Sequence, residues 1–252
     1  MEKYAFFLDI DGTLAKGGVI HPDNVKTIKE AQKQGHFVFI NTGRSYAYIP
    51  DFVFKSANYD GFLCGLAADI RLHDKQIFSK CISKETLNKL AELFLSMPGT
   101  VALFEGEKKV YYTTPWYDVE NGQKIYNADE FYTKYQDAKI TKFTCECINK
   151  DLFGSVLDEL TLLDQGHYFE LGIKGCNKAA GMIMVANEIG IPKERCVAIG
   201  DSINDEDMLR AAGIAVVTEN GDERMKKIAT FVTDDVRRAG VARAIERIIN
   251  KK

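Results

Sequence analysis

The sequence predicts an α/β protein in which a doubly wound, Rossmann-like parallel-sheet core carries an inserted α+β cap domain. At both ends of the chain short apolar strands alternate with helical patterns, whereas the middle third mixes helices with a hairpin pattern. Strands that alternate with helices through short loops are typical of a parallel sheet covered by helices on both faces. We expect residues 1–78 and 173–252 to form the core, and residues 79–172 to form the cap.

The N-terminal part of the chain reads as a strand, a helix and a second strand. Residues 4–8 are continuously apolar, as expected of a strand buried on both faces of a parallel sheet. Pro22 suits the first turn of a helix, and Gly35 is placed to end it. A second apolar strand follows at residues 36–40, so this segment predicts a right-handed βαβ unit.

The last third of the chain repeats this rhythm of helices and apolar strands. We expect helices over residues 178–189, 205–211 and 241–249, and strands over residues 196–199 and 214–217 and near Phe231. Short loops with Gly or Pro separate these elements, so both ends of the chain are predicted to build one sheet.

The middle segment has a different pattern. It predicts a helix over residues 84–95 and a hairpin over residues 101–113 that turns at residues 105–107. Most of its aromatic side chains are expected to pack inside this segment. Trp116 and Tyr117 are the two that we expect nearest to a cleft.

The composition argues against several classes of partner. A formal net charge of −3 at pH 7 offers no electrostatic reason to bind nucleic acid or an anionic membrane. The apolar run at residues 4–8 is too short for a signal peptide or a membrane span. Six cysteines include no C-x-x-C pair and are typical of reduced thiols, so we expect a cytoplasmic protein. The sequence makes no prediction of the oligomeric state.

Two aspartates, Asp9 and Asp11, follow the first strand directly, and Gly12 permits a sharp turn after them. In open α/β sheets ligands bind at the carboxyl ends of the strands. Alternation along a strand brings both carboxylates towards one side, where their repulsion is relieved by a cation, a shared proton, or separate roles as nucleophile and acid. The spacing therefore predicts a functional pair rather than a solvated turn.

Candidate phosphate-binding groups follow the second strand and open the helix after the cap. Thr42 offers a hydroxyl and Gly43 a backbone amide, which together could hold phosphate oxygens. Asn177 is a good N-cap residue, and Lys178 lies in the first turn of that helix. A lysine there opposes the helix dipole, so its position is best explained by a nearby anion, with Lys174 as the alternative cation.

A second acidic group follows the predicted strand at residues 196–199 and contains Asp201, Asn204 and Asp205. It again lies at the carboxyl end of a strand. Mg²⁺ prefers oxygen ligands and commonly takes carboxylates together with phosphate oxygens and water. The pattern therefore favours a magnesium site over an ordinary helix cap.

Taken in order, these motifs resemble those of the haloacid dehalogenase-like phosphatases, and in particular the Cof-type branch with a large inserted cap. The resemblance rests on D-x-D-G-T-L at residues 9–14, Thr-Gly-Arg at 42–44, Lys178 after a Lys-Gly, and G-D-x-x-N-D-x-x-M-L at 200–209. It covers almost the whole chain.

The resemblance implies a role for each acidic candidate. Asp9 would be the nucleophile and a metal ligand, and Asp11 the general acid/base whose backbone carbonyl also binds Mg²⁺. Asp201 would be the third protein ligand of the metal. Asp205 would orient Lys178 or a water molecule on the metal.

The resemblance also implies how the phosphoryl group is held. The implied binding groups are the Thr42 hydroxyl, the backbone amides of Ile10 and Gly43, and the side chains of Lys178 and Asn204. The implied function is Mg²⁺-dependent hydrolysis of a small phosphorylated metabolite, such as a sugar phosphate, a nucleotide or a phosphorylated cofactor, through an aspartyl-phosphate. A phosphomutase with the same intermediate and a non-enzymatic phosphate-sensing module are the alternatives.

This chain departs from the family pattern in one loop. Where the family usually has Asn-Gly after the third core strand, this chain has Gly65-Leu66. The resemblance therefore implies no substrate contact from that loop.

Overall fold

Two large β-sheets organise the chain, one mostly parallel and one mostly antiparallel. The computed structural model describes residues 2–96, 99–113, 119–135, 137–146 and 148–250. The strands are β1 (Ala5–Leu8), β2 (Ala15–Lys16), β3 (Val19–Ile20), β4 (Phe37–Asn41), β5 (Gly61–Cys64), β6 (Asp69–Leu72), β7 (Lys75–Ser79), β8 (Ala102–Gly106), β9 (Val110–Tyr112), β10 (Gly122–Lys124), β11 (Ile140–Glu146), β12 (Leu160–Asp164), β13 (Tyr168–Ile173), β14 (Cys196–Gly200), β15 (Ile214–Thr218) and β16 (Phe231–Thr233). The helices are α1 (Pro22–Lys33), α2 (Asp51–Ser56), α3 (Lys84–Leu95), α4 (Ala128–Lys134), α5 (Lys178–Glu188), α6 (Glu206–Ala211), α7 (Glu223–Ile228) and α8 (Gly240–Ile249).

The larger sheet contains eight strands in the order β16-β15-β14-β1-β4-β5-β6-β7. The strands from β16 to β5 run parallel, and β6 and β7 add an antiparallel edge. Leu8, the last residue of β1, pairs with Ile40 on one side and Ile199 on the other. The three strands therefore end side by side, and the predicted α/β class with a parallel-sheet core is confirmed.

Helices cover both faces of this sheet because its central strand is apolar on both sides. In β1, Phe6 and Leu8 join the apolar cluster that contains residues of α1 and α8. Ala5 and Phe7 point the other way and join the cluster that contains residues of α5, α6 and α7. This alternation is what makes the sheet doubly wound.

The second sheet contains six strands in the order β10-β9-β8-β11-β13-β12. Helices α3 and α4 pack on one of its faces through an aromatic cluster that includes Phe104, Phe143 and Phe169. The residues that alternate with these phenylalanines point to the opposite face. That opposite face lies against the loops that follow β4 and β14 in the larger sheet.

Two expectations for the middle segment differ from the structure or lie outside it. The predicted turn of the hairpin was wrong, because β8 runs on to Gly106 and the turn occupies residues 107–109. Glu105 continues the strand because it pairs with β11, and its side chain is buried against that strand. Trp116 and Tyr117 lie outside the described residues. Within the described ranges, no helix is both long and apolar enough to cross a bilayer.

Candidate active site

Acidic side chains from β1 and β14 meet at the carboxyl edge of the parallel sheet. Because Leu8 pairs with Ile199, the chain leaves both strands at the same level, and the Asp9 amide donates to the Ile199 carbonyl at 3.0 Å. One carboxylate oxygen from each of Asp9, Asp201 and Asp205 lies within 4.8 Å of the others. The convergence that the two motifs predict is therefore present.

The tight turn after β1 sets the position of Asp201. Gly12 has a φ of +90°, and a Cβ added there would lie 2.3 Å from the Asp201 Oδ2. Thr13 Oγ1 donates to Asp201 Oδ1 at 2.9 Å, and Asn220 Nδ2 holds the Gly12 carbonyl at 2.8 Å. Thr13 and Asn220 had no role in the sequence prediction. Asn220 follows the carboxyl end of β15, which is the signal that could have identified it.

Gly12→Ala is expected to abolish the activity that the sequence predicts, because the new methyl group must displace the Asp201 carboxylate. Gly18→Ala is the matched control, since Gly18 also has a positive φ, +76°, but a Cβ there meets no atom within 4 Å. Both substitutions carry a similar backbone strain, of about 1 kcal/mol. Urea unfolding and the rate of phosphate release measure the two effects. Equal losses in the two variants would show that Gly12 matters for backbone strain alone.

Lys178 places its ammonium between two of the carboxylates. Its Nζ lies 2.7 Å from Asp9 Oδ1 and 2.5 Å from Asp205 Oδ1, and the residue is 1% exposed. Asn177 caps α5 by accepting from the Ala180 amide at 2.7 Å, as predicted. Lys174, the alternative cation, is exposed. Of the two lysines, Lys178 is thus the one that reaches the acidic group.

A residue of the larger sheet also fixes the backbone of Lys178. Asn41 Nδ2 donates to the Lys178 carbonyl at 3.0 Å, so the end of β4 ties down the first turn of α5. Asn41 is fully buried and was not assigned a role from sequence. It is a positioning residue for Lys178.

Asp205 is already saturated with donors. Its Oδ2 accepts from the backbone amides of Asp201 at 2.9 Å and Ser202 at 3.1 Å, while Oδ1 accepts from Lys178. A carboxylate with three donors has little capacity left for a ligand. The geometry therefore makes Asp205 an orienting residue, and leaves Asp9 and Asp201 as the carboxylates with capacity for a cation.

The site carries excess negative charge. Burial raises the pKa of Asp9 well above its ordinary value; Lys178 opposes that rise, whereas Asp205, Asp201 and Asp11 reinforce it. Burial is also the main cause that raises the pKa of Asp201 to about 6. Burial acts to lower the pKa of Lys178, but the charges of Asp205 and Asp9 outweigh it and raise that pKa.

The charge and the donor atoms of the acidic cluster fit a divalent metal ion. Three carboxylates lie together and one ammonium contacts two of them, so a further cation would be stabilised there. The donors are hard oxygen atoms, the type that Mg²⁺ prefers. The acidic cluster therefore has both the charge and the donor set of a divalent-metal site.

Asp11 is held apart from this cluster by a partner that sequence reasoning missed. Arg44 donates to its carboxylate through Nε at 2.7 Å and Nη2 at 2.9 Å, and the Asp11 side chain is 59% exposed. Arg44 also donates to the Tyr48 carbonyl and lies 4.8 Å from the centre of that ring. The chain leaves β1 after Leu8, so strand alternation does not govern where Asp11 points. A basic residue directly after Thr-Gly was the signal for this ion pair.

The remaining candidates lie where the two sheets meet. Thr42 is buried after β4, and its Oγ1 accepts from the Arg44 amide at 3.2 Å. A Cβ added to Gly43 would lie 3.8 Å from an oxygen of Glu170, in the second sheet. Asn204 contacts that sheet directly, because its Nδ2 donates to Glu170 Oε2 at 3.3 Å. Ile10 is buried at the base of the Asp9 turn, and its carbonyl accepts from three backbone amides of that turn, those of Thr13, Leu14 and Ala15.

This chain is similar to known hydrolases both in sequence and in fold. The family model of haloacid dehalogenase-like hydrolase matches residues 6–245. A 5-amino-6-(5-phospho-D-ribitylamino)uracil phosphatase of Bacillus subtilis is 28% identical over 246 residues, covering 94% of this chain and 92% of the relative. A phosphoglycolate phosphatase of Methanopyrus kandleri is 25% identical over 249 residues, covering 96% of each chain. A solved sugar phosphatase of subclass IIB shares the fold, with a TM-score of 0.80 at 23% identity over 97% of this chain and 98% of its own.

Proposed function

Because this chain belongs to the haloacid dehalogenase-like hydrolases, in their Cof-type branch, we propose that it hydrolyses small phosphomonoesters with Mg²⁺ through an aspartyl-phosphate on Asp9. It is a hydrolase that acts on phosphomonoesters. The observation that carries the mechanism is the buried Asp9 carboxylate, held 2.7 Å from the Lys178 ammonium and beside Asp201 and Asp205.

In this proposal the carboxylates of Asp9 and Asp201 and the backbone carbonyl of Asp11 hold the metal. When bound, Mg²⁺ supplies positive charge that offsets the repulsion between the phosphate and the surrounding carboxylates. Lys178 supplies a second positive charge to the phosphoryl oxygens. The Thr42 hydroxyl, the backbone amides of Ile10 and Gly43, and the Asn204 side chain complete the cradle as hydrogen-bond donors that fix the orientation of the phosphoryl group.

Asp9 begins the reaction by attacking the phosphorus with a carboxylate oxygen. A new O–P bond forms and the bond from phosphorus to the ester oxygen breaks. Asp11, once it has left its ion pair with Arg44, gives its proton to the leaving alkoxide. In the second half, the Asp11 carboxylate takes a proton from water as the water oxygen attacks the phosphorus of the aspartyl-phosphate. Inorganic phosphate leaves and the Asp9 carboxylate is restored.

We also propose the domain boundaries expected from sequence. Residues 1–78 and 173–252 would form the catalytic core, and residues 79–172 the cap. Support comes from the strands of the smaller sheet, which all fall between Ala102 and Ile173, whereas those of the larger sheet lie before Lys80 or after Arg195. Ser79 and Ile173 each fall one residue across the proposed boundary.

Release of inorganic phosphate from a panel of phosphomonoesters tests the proposed function. Purified protein with Mg²⁺ should release phosphate, and EDTA should stop the release. A phosphomutase would instead move the phosphate within or between sugars, and a phosphate-sensing module would retain it on Asp9. Either of those results would contradict hydrolysis.

Mg²⁺ is expected to stabilise the fold more at pH 7.5 than at pH 5. The pKa of Asp201 is about 6 in the folded protein against an ordinary 3.8, so without metal the folded state binds this proton more tightly than the unfolded chain. That contribution to stability is present at low pH and is lost as the pH rises through about 6, amounting to about 2–3 kcal/mol. A bound cation restores the stability lost at higher pH, because it binds the ionised carboxylates.

Thermal melting with Mg²⁺ and with EDTA at the two pH values measures this difference. Asp201→Asn is the control, since it removes the titrating group and should reduce the pH-dependent part of the Mg²⁺ effect. An equal Mg²⁺ effect at both pH values in the unsubstituted protein would contradict the assignment of Asp201 as a ligand.

A further inference from the structure

The loop after β5 contains two residues in a backbone conformation that is unfavourable for them. Gly65, Leu66 and Ala67 have consecutive φ angles of +57°, +58° and +64°. Glycine adopts such left-handed angles freely, whereas a Cβ makes them unfavourable for leucine and alanine. Residues in this conformation persist only where the surrounding structure holds them, and they are frequent at functional sites. We call Gly65, Leu66 and Ala67 the left-handed turn.

Hydrogen bonds hold the left-handed turn against the loop that carries two of the proposed phosphate-binding groups. The Gly65 amide donates to the Arg44 carbonyl at 2.7 Å, and the Leu66 amide donates to the Thr42 carbonyl at 3.4 Å. The backbone on either side of Gly43 is therefore tied to the turn. These bonds also fix the direction in which the Leu66 side chain leaves it.

The Leu66 side chain fills the space between the phosphate-binding loop and the smaller sheet. Leu66 is only 6% exposed. A Cβ added to Gly43 would lie 3.8 Å from Leu66 Cδ2, and a Cβ added to Gly172, in β13, would lie 2.7 Å from Leu66 Cδ1. One methyl group of Leu66 thus faces the phosphate-binding loop, and the other faces a strand of the smaller sheet.

Gly172 leaves the gap that Leu66 occupies. The three atoms nearest to a Cβ on Gly172, apart from its chain neighbours, all belong to Leu66. A glycine inside a strand weakens the strand and often marks the close approach of another group. A leucine in a left-handed turn and a glycine within β13 are each unfavourable locally, and the contact between them accounts for both.

Leu66 is the apolar side chain next to Gly43. The three atoms nearest to a Cβ on Gly43 belong to Glu170 at 3.8 Å, Leu66 at 3.8 Å and Lys142 at 4.0 Å. Glu170 and Lys142 are also buried, with 6% and 3% of their surface exposed. A leaving group that extends towards the smaller sheet, from a phosphoryl group held by the Gly43 amide, must therefore pass the Leu66 methyl groups.

We propose that Leu66 is a specificity-determining residue, which limits how wide the leaving group can be next to its ester oxygen. This inference rests on the proposed phosphatase function and specifies which phosphomonoesters the site admits. The turn fixes the Leu66 backbone and β13 contacts one of its methyl groups, so the side chain has no room to move away from Gly43 on that side. Because protein interiors are closely packed, a wide leaving group would have to displace this side chain.

This role belongs to the loop that departs from the family pattern. Where the family usually has Asn-Gly, this chain has Gly65-Leu66, so an isobutyl group occupies a position at which glycine would leave open space. Leucine is unfavourable there because of its positive φ, and glycine is not. Leu66→Gly should therefore widen the site and also relax the backbone of the left-handed turn.

The test compares Leu66→Gly with the unsubstituted full-length protein, both with Mg²⁺, on phenyl phosphate and 1-naphthyl phosphate. The two leaving groups have similar acidity and differ in width. In the unsubstituted protein kcat/KM should be at least about tenfold higher for phenyl phosphate, and in Leu66→Gly this preference should fall about tenfold. Leu66→Ala removes both methyl groups and should lower the same preference, which decides the question if Leu66→Gly does not fold. A preference that stays the same in these variants would overturn the proposal.

Ala67→Gly is the matched control for the backbone. Ala67 has the same left-handed conformation as Leu66, but its methyl group lies 2.4 Å from the position of a Cβ on Gly181, so it packs against α5 and not against β13. Glycine there relaxes the turn without removing the Leu66 side chain, and the preference for phenyl phosphate should be unchanged. An equal fall in Ala67→Gly would assign the effect to the backbone of the turn, and would contradict the role of the Leu66 side chain.

Gly172→Ala tests whether Leu66 and Gly172 act as a pair. In the unsubstituted protein the new methyl group must displace Leu66 Cδ1, so kcat/KM for phenyl phosphate should fall about tenfold. In the Leu66→Gly background the same methyl group no longer meets the Leu66 side chain, and kcat/KM should stay within about threefold of Leu66→Gly alone. Equal losses in the two backgrounds would show that the contact does not set the width of the site.

The outcomes separate this inference from the function on which it rests. If the unsubstituted protein hydrolyses no phosphomonoester, phenyl phosphate included, the phosphatase proposal itself fails. If phenyl phosphate is hydrolysed but the preference over 1-naphthyl phosphate is the same with and without the Leu66 side chain, the phosphatase proposal stands and the assignment of Leu66 is wrong.

Discussion

Asp9→Asn should lose essentially all turnover, by roughly 10⁴-fold or more, while keeping its fold. The amide has nearly the volume of the carboxylate, and its oxygen can still accept the hydrogen bond from the Lys178 ammonium, which lies 2.7 Å from Asp9 Oδ1. The amide has no negative charge, however, and does not attack phosphorus. Phosphate release from p-nitrophenyl phosphate, together with circular dichroism to verify folding, measures the effect.

Asp207→Asn is the matched control for this substitution. Asp207 lies in the first turn of α6 close to the site, but its carboxylate accepts from the backbone amides of Ala179 and Met208 and does not contact Asp9 or Lys178. An asparagine there keeps one acceptor oxygen, so activity should remain within about threefold. Comparable losses in both variants would mean that any change near the α5–α6 contact disables the enzyme, and would remove the case for Asp9 as the nucleophile.

Lys178→Met should reduce both stability and turnover. The side chain is buried and is the ammonium that lies between Asp9 and Asp205. Methionine has a similar length, but its loss of charge leaves two buried carboxylates without their cation, which typically costs about 3–5 kcal/mol. Urea unfolding without metal should show that loss, and phosphate release should fall because a charge on the phosphoryl oxygens is missing.

The pH dependence of this loss distinguishes electrostatics from packing. Because burial already raises the pKa of Asp9, lowering the pH to 5 should protonate part of the cluster and reduce the deficit of Lys178→Met. Lys174→Met, at the exposed alternative position, should have little effect on either measurement. A deficit in Lys178→Met that is independent of pH would indicate a packing defect instead of an uncompensated charge.

The core of the fold and the centre of the site follow from local patterns. Continuous apolar runs identify β1, β4 and β14 as strands buried on both faces, and parallel strands end at the same edge of a sheet. The residues that follow such strands therefore lie along the same edge of the sheet. This is why Asp9 and Asp201 could be paired from sequence although they lie 192 positions apart, and why Lys178, in the first turn of the helix that precedes β14, could be added to them.

The ion pair of Asp11 with Arg44 and the burial of Glu105, Lys142 and Glu170 were decided only by the tertiary structure. Polar residues at alternate positions of an antiparallel strand predict a face exposed to water, because sequence records which residues share a face but not what covers it. In this protein the carboxyl edge of the larger sheet covers that face of the cap sheet. Contacts between the two include those of Ser45 with Glu105 and of Gln165 with Asn204. Strand alternation is local and therefore readable from the chain, whereas the meeting of two sheets depends on packing between distant segments.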